Sequence, residues 1–214
     1  MIRQATIHDL PAIAKVHSIC FPDSYSSQLC KLKNVIGGGN LLVSFYREYL
    51  NDNPELVWVA DDEDKGIVGF CMGYYMDKDD QMQNFMKHNR FKVLWKTLLL
   101  MLSGNKQTWN KMLARFKHKP SQSDWTIVND KNEHILNNQR GDLLSVCVIP
   151  EGRGKGYAQS MMEAYLDAMK THGRKLCLLS VKTGNLRARR YYERNGFEIY
   201  RTRGEDGLTY MKLL

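Results

Sequence analysis

The fold is decided by the stretch Val146-Cys147-Val148-Ile149-Pro150-Glu151-Gly152-Arg153-Gly154-Lys155-Gly156-Tyr157-Ala158, in which an apolar run meets three glycines and then a helical pattern. Glycine lets the backbone adopt positive φ and approach a ligand closely. Free N–H groups at a helix start, together with the helix macrodipole, favour an anion, and Arg153 and Lys155 add positive charge. The stretch therefore predicts a strand–turn–helix unit with a site for a diphosphate.

The sequence excludes two other types of phosphate-binding glycine-rich loop. The G-x-G-x-x-G fingerprint of dinucleotide folds is absent because Tyr157 and Gln159 stand where it needs other residues, and no Gly-Lys-Ser/Thr of a Walker loop occurs. The alternative that stays open is a plain strand-to-helix turn without a ligand.

The flanking segments predict alternating strands and helices. Helices are expected after Thr6, around residues 29–35 and after the cap Asn40, and a β-hairpin over 57–60 and 67–75. A strand over 143–149 and a helix over 156–171 precede a strand over 176–181, which together form a βαβ unit. A short helix over 185–195 and an antiparallel hairpin over 197–201 and 208–213 follow. The apolar face of the helix over 156–171 is assigned to the core: Met161, Met162, Tyr165, Leu166 and Met169.

Composition narrows the class of protein. The chain has 214 residues, of which 43% are apolar, enough for one domain over 1–214. We expect no signal peptide and no membrane-spanning helix, because the longest apolar run is 98–102. The five cysteines include no C-x-x-C pair, so disulfides, metal sites and an oxidising compartment are not expected. The prediction is a cytoplasmic protein, with Cys71, Cys147 and Cys177 as small buried side chains.

Four blocks of the sequence resemble the GNAT superfamily of acyl-CoA N-acyltransferases. Residues 153–158 resemble its Arg/Gln-x-x-Gly-x-Gly/Ala signature, and residues 2–11, 66–70 and 185–197 resemble its first strand and helix, its third strand and its Asn-x-x-Ala…Tyr-Glu-x-x-Gly-Phe block. The resemblance covers about residues 1–77 and 141–214. It implies an α/β (α+β) fold with a central, mixed, mostly antiparallel twisted sheet flanked by helices, and acetyl-CoA as co-substrate without a metal.

The resemblance also implies roles for individual residues. The strand residues Val146, Cys147 and Val148 would meet the pantetheine arm, with Val146 and Val148 offering backbone groups. The pyrophosphate would lie in the loop formed by Arg153, Gly154, Lys155, Gly156, Tyr157, Ala158 and Gln159. Asn185 would lie near the pantetheine and the thiol, and Tyr192 close to the CoA sulfur.

The implied reaction is direct attack of a neutral amine on the thioester, for which proximity supplies much of the rate. Tyr192 is the candidate acid for the leaving thiolate, the alternative being a core aromatic, while Tyr191 is assigned to packing. Some family members carry a Glu at the position of Ser180, and serine is no carboxylate base. Asp142, a water chain or no dedicated base remain open.

A basic insertion departs from the family pattern. Residues 78–140 separate two strands that a short turn usually joins, and residues 81–123 hold nine of the 31 basic residues and none of the 23 acidic ones. Helical patterns over 91–102 and 109–116 predict a helical hairpin. It is interpreted as a packed element with a solvated basic face, as a homodimer interface or substrate lid, or as a peripheral contact with an anionic membrane or substrate. Nucleic acid is not predicted as a partner because aromatics are not interleaved with the charges.

The function predicted from these observations is acetyl transfer to a primary amine of a small molecule, an amino-sugar nucleotide being the example considered. Two alternatives remain: a non-catalytic acyl-CoA-binding module, motivated by Ser180, and a protein or peptide N-acetyltransferase.

Overall fold

The structure is a computed structural model that describes residues 1–31, 40–77, 80–102, 109, 125–132, 134–203 and 207–214. Its described strands are β1 (Ile2–Gln4), β2 (Val57–Asp62), β3 (Gly66–Tyr75), β4 (Thr126–Ile127), β5 (Arg140–Val148), β6 (Leu176–Lys182), β7 (Glu198–Arg203) and β8 (Gly207–Leu213). Its described α-helices are α1 (Leu10–Cys20), α2 (Tyr25–Lys31), α3 (Leu41–Asp52), α4 (Gln81–Leu102), α5 (Tyr157–Thr171) and α6 (Leu186–Arg194).

The strands form one sheet in the order β1-β2-β3-β5-β6-β8-β7-β4. β5 and β6 are parallel, and the other neighbours are antiparallel. This confirms the predicted mixed, mostly antiparallel sheet flanked by helices, and α5 makes the predicted crossover between β5 and β6. Asn40 caps α3 as predicted, since its Oδ1 accepts a hydrogen bond from the N–H of Leu42 at 3.0 Å.

The sheet opens between β5 and β6. These strands pair only over residues 140–143 and 176–179, after which β5 stays with β3 and β6 stays with β8. The pairing of β3 with β5 jumps from Met72 opposite Ser145 to Gly73 opposite Leu143, which leaves Leu144 as an extra residue in β5. Such a bulge bends the strand that carries it. We therefore attribute the notch between β5 and β6 to the bulge at Leu144.

Both faces of the sheet are covered. On one face lie the five predicted core residues of α5, all buried, together with Val68, Leu179 and Tyr210. The other face packs against α1 and α3 through Leu10, Ile13 and Tyr46. Burial of these apolar side chains contributes about 25 cal/mol per Å² removed from water, and it holds the two sides of the notch in place.

The insertion is partly helical and partly extended. α4 begins ten residues before the predicted start at Phe91, because Phe85 packs with Leu29, Leu41 and Leu100 in a cluster that joins it to α2 and α3. The predicted second helix over 109–116 lies outside the described residues except for Trp109. The description of the insertion as only helical needs correction, because β4 pairs with β7 at the edge of the sheet. None of the helices in the described ranges combines the length and apolarity that a membrane span needs.

Candidate functional site

A cavity of about 600 Å³ lies at the notch. It is bounded by the end of β5, the glycine-rich loop before α5, one side of α6 along its length, and Cys20 and Phe21 at the end of α1. Of the residues predicted for the site, the cavity lining includes Val146, Cys147, Val148, Arg153, Gly154, Gly156, Tyr157, Ala158, Gln159, Asn185 and Tyr192. The geometry thus brings together residues from three separate sequence blocks.

The end of β5 presents to this cavity a backbone edge that has no neighbouring strand among the described residues. The Ile149 N–H donates to the Val68 carbonyl at 2.9 Å, on the β3 side, whereas the Val148 carbonyl accepts from Arg153 Nε at 3.2 Å, on the cavity side. Because backbone groups alternate along a strand, Val146 also presents its N–H and C=O to the notch. β6 has already diverged here, so an extended ligand with amide groups can bind this edge as an added strand would.

The glycine-rich loop has the predicted conformation. Gly154 and Gly156 have φ of 82° and 78°, in the left-handed region, and Gly156 is the N-cap of α5. The first N–H groups of an α-helix have no intrahelical acceptor and favour an anion. Arg153, Arg187 and Arg194 line the same cavity, and none of its described lining residues is Asp or Glu. The loop therefore fits a diphosphate.

The sequence predicts that the Lys155 ammonium adds positive charge to the cavity, but the structure places it outside the lining. Lys155 Nζ binds Asp62 Oδ2 at 2.8 Å, and the Tyr157 hydroxyl donates to the same oxygen at 2.9 Å. The hydrogen bonds from Lys155 and Tyr157 lower the pKa of Asp62 to about 2, and Asp62 in turn raises the pKa of Lys155. Lys155 is absent from the described lining, and its side chain fastens the loop to the β2–β3 hairpin.

Sequence reasoning missed the part played by Asp62. Between the two predicted strands of the hairpin, residues 61–64 include three Asp and one Glu, a composition that favours a solvated turn, yet the Asp62 side chain is only 5% exposed. The signal that could have found it is the presence of two donors, Lys155 and Tyr157, close together in sequence, together with a carboxylate in the turn of the predicted hairpin.

α6 contributes residues with different tasks. Asn185 caps the helix by accepting from the Ala188 N–H at 3.2 Å, and it lines the cavity. The Tyr191 hydroxyl donates to the Ala158 carbonyl at 2.8 Å, which ties α6 to the start of α5 and agrees with its assignment to packing. The Tyr192 hydroxyl has no hydrogen-bond partner among the described residues, so it is available to a ligand.

Burial determines the protonation of Tyr192. Its ring packs near Tyr191, Phe197 and Tyr210, and burial raises its pKa above the ordinary value for tyrosine. Tyr192 therefore stays a neutral hydrogen-bond donor at physiological pH. A donor of this kind can stabilise negative charge that develops on a leaving sulfur.

Among the described residues, the cavity lining offers no Asp, Glu or His that could act as a base. Asp142 lies on β5 opposite Tyr74 and Leu178, and Ser180 lies on β6 opposite Thr209; neither lines the cavity, and no His does in the described part of the chain. The described residues also hold no cluster of three or more His, Cys, Asp or Glu side chains suited to a metal ion.

Residues 124–197 match the family model described as the Acetyltransferase (GNAT) family. N-alpha-acetyltransferase 30 of Schizosaccharomyces pombe is 31% identical over 75 residues, which are 35% of this chain and 50% of that protein. The chain thus spans about half the length of this curated relative.

Solved structures share the fold. The ribosomal-protein-alanine N-acetyltransferase of Brucella melitensis aligns with a TM-score of 0.55 and 14% identity, over 100% of this chain and 99% of the other. Naa20 of Chaetomium thermophilum, in complex with a bisubstrate analogue, aligns with a TM-score of 0.54 and 16% identity, over 100% and 86%. At these identities the likeness concerns the fold alone. Residues 124–197 are thus similar to the GNAT acetyltransferase family, and the chain has the fold of these solved acetyltransferase structures.

Proposed function

We propose that this chain binds acetyl-CoA and transfers its acetyl group to a primary amine. The observation that carries the proposal is the free edge of β5 ending at the glycine-rich loop. Acetyl-CoA has an extended arm with two amides that leads to a diphosphate. Val146 and Val148 offer backbone partners to such an arm, and the N–H groups at the start of α5, with Arg153, suit the diphosphate.

In the proposed reaction a neutral amine attacks the thioester directly within a ternary complex. Holding amine and thioester together supplies about 7–11 kcal/mol when the reacting atoms are well oriented. Tyr192 donates a hydrogen bond to the departing sulfur and then its proton, because it is neutral and has no other described partner. Tyr191 is committed to the Ala158 carbonyl and takes no part.

We propose the α-amino group of a protein or peptide as the acceptor. Support comes from the relatives' names, which specify N-alpha-acetylation and acetylation of a ribosomal-protein alanine. The small-molecule amine predicted from the sequence, with the amino-sugar nucleotide as its example, has no support among these relatives and stays a prediction, as does the cytoplasmic location. An assay of acetyl transfer distinguishes the non-catalytic acyl-CoA-binding alternative from both the peptide and the small-molecule acetyltransferase.

The first experiment measures thermal unfolding with and without acetyl-CoA for the wild type and Gly156→Glu. A ligand at 100 times its dissociation constant that binds only the folded state adds about 2.7 kcal/mol. We expect a stabilisation in the wild type that Gly156→Glu abolishes, because a carboxylate and a side chain at positive φ both oppose a bound diphosphate. No stabilisation of the wild type would refute acetyl-CoA binding.

The second experiment identifies the acceptor by following CoA release. It compares peptides with a free N-terminus, the same peptides with a blocked N-terminus, and amino-sugar nucleotides. Turnover of the free peptides only supports the proposal, whereas turnover of the amino-sugars only supports the small-molecule prediction. Acetyl-CoA binding without turnover of any amine, and without an effect of Tyr192→Phe, would identify a binding module.

A further inference from the structure

One side of α4 is fixed to the rest of the fold. The ring of Phe85 lies against that of Phe45 with centroids 5.5 Å apart. Further along the same side, Thr97 is hydrogen-bonded to the Tyr25 hydroxyl, and Leu100 is buried. These contacts with α2 and α3 determine which side of α4 is turned away from the domain.

The opposite side of α4 carries an apolar stripe that is exposed to solvent. Its five side chains recur at i, i+3, i+4, i+7 and i+11 and are each between 45% and 75% exposed: Phe91, Leu94, Trp95, Leu98 and Leu102. At 3.6 residues per turn these positions lie within about 100° of one another around the helix axis. Single exposed leucines are ordinary on a protein surface, whereas an ordered row of large apolar side chains marks an interaction surface.

Positive charge borders the stripe. Three exposed basic residues each precede a stripe residue by three or four positions, which makes them its neighbours on the helix surface: Lys87, Arg90 and Lys92. The Arg90 guanidinium lies over the Phe91 ring, 4.8 Å from its centroid. Residues 81–123 include nine basic residues and neither Asp nor Glu. The surface formed by the stripe and its neighbours is therefore both apolar and cationic.

These two properties together fit an anionic lipid surface. Helices that lie in the plane of a membrane interface insert Trp, Phe and Leu to the level of the acyl chains and place Lys and Arg beside the acidic headgroups. A second copy of the chain, paired stripe to stripe, would bring two basic segments together, which like-charge repulsion opposes. A nucleic acid would match the charge but would leave the five apolar side chains in water.

We propose that α4 docks the chain on an anionic membrane surface through the stripe from Phe91 to Leu102. The helix then lies parallel to the membrane plane while its other side keeps its contacts with α2 and α3. It rests on the membrane without crossing it, in keeping with the lack of a spanning helix in the described ranges. The proposal is independent of acetyl-CoA binding, because no stripe residue is among the described lining residues of the cavity.

The test measures cosedimentation of the full chain with two kinds of vesicle. One kind is phosphatidylcholine alone, and the other contains equal parts of phosphatidylcholine and phosphatidylserine. We expect the chain to bind the mixed vesicles, and this binding to weaken as salt screens the charges. Binding to the neutral vesicles should be about a hundredfold weaker, because the three basic neighbours of the stripe lose their anionic partners.

Matched variants separate the apolar and the cationic contributions. Leu94→Gln, at a side chain 62% exposed, should weaken binding by about tenfold or more, whereas Leu213→Gln, 59% exposed on β8, should bind as the wild type does. Glutamine suits the test because its helix propensity is close to that of leucine. Lys92→Gln should weaken binding by about fivefold, and Lys170→Gln, an exposed residue of α5, should have far less effect. An unchanged Tm shows that each variant folds.

The outcomes that would overturn the proposal are distinct. Equal binding of Leu94→Gln and the wild type would reduce the interaction to charge alone and remove the stripe from it. A monomeric wild type that binds neither vesicle at low salt would leave the stripe to a protein partner. A dimer in light scattering that Leu94→Gln converts to a monomer, without vesicle binding, would assign the stripe to a second copy of the chain.

Discussion

The conformation of Gly156 allows a quantitative test of the glycine-rich loop. At φ of 78°, a Cβ would meet no atom within 4 Å, so Gly156→Ala introduces backbone strain without a steric clash. For an L-residue the left-handed region costs about 1–2 kcal/mol. Replacing glycine also removes freedom from the unfolded chain, which stabilises by about 0.4–1 kcal/mol and partly offsets the strain.

Two other glycines of this chain serve as matched controls. Gly173, at the far end of α5, has φ of 71° and equally open space, so Gly173→Ala carries the same strain away from the cavity. Gly184 has open space without a positive φ in the strained range, so Gly184→Ala carries only the unfolded-state effect. We expect Gly156→Ala and Gly173→Ala to be less stable than Gly184→Ala by about 1–2 kcal/mol, or roughly 2–8 °C in Tm for a chain of this size.

Binding of CoA then separates the two strained variants. If the empty loop of the Gly156→Ala variant instead relaxes to negative φ at position 156, the strain appears in the bound state and no longer in Tm, and the Kd of this variant rises by about 5- to 30-fold. The Kd of Gly173→Ala should equal that of the wild type. Thermal unfolding and isothermal titration with CoA measure both quantities. The reasoning fails if Gly156→Ala matches Gly184→Ala in Tm and the wild type in Kd.

Further predictions concern catalysis, packing and pH. Tyr192→Phe should lower kcat by about a hundredfold or more if it supplies the proton, measured by CoA release, while Tyr191→Phe should lower it far less. Met161→Ala should reduce the free energy of unfolding in urea by about 2–5 kcal/mol, since Met161 is fully buried. Hydrogen bonding to Arg3 lowers the pKa of Asp9 to about 2, so its contribution to stability is complete above the unfolded pKa of about 3.9 and is lost as pH falls through about 2. In this pH window the free energy of unfolding, measured in urea, should fall more steeply with decreasing pH for the wild type than for Asp9→Asn.

The strand, loop and helix around the cavity could be predicted because their signals are local. Positive φ at Gly154 and Gly156, the helical spacing from Met161 to Met169 and the cap at Asn185 each depend on a few neighbouring residues. The same holds for the two tyrosines of α6, because adjacent residues on a helix point in different directions. Local rules therefore suffice for the loop conformation and the helix faces, whereas the roles of Asn185 and Tyr192 were expectations from the resemblance to the GNAT superfamily.

Features that depend on distant partners were not predicted. The bulge at Leu144 becomes visible only from the register of β5 against β3. The pairing of β4 with β7 joins Thr126 to Thr202, and nothing within a two-residue strand indicates its partner. Hydrophobic periodicity identifies elements and their buried faces but leaves register and long-range side-chain pairs undetermined.

The contact between Asp62 and Lys155 shows how one such distant pair changes the interpretation of a motif. The two residues are 93 positions apart, and the carboxylate also holds Tyr157, so the loop is fastened at two points to the β2–β3 hairpin before any ligand binds. A loop ordered in advance loses less conformational freedom on binding. Because the pKa of Asp62 is about 2, this contact persists throughout the physiological range. In the proposed diphosphate site the positive charge would therefore come from the lining arginines, and Lys155 would act by fixing the position of the backbone N–H groups.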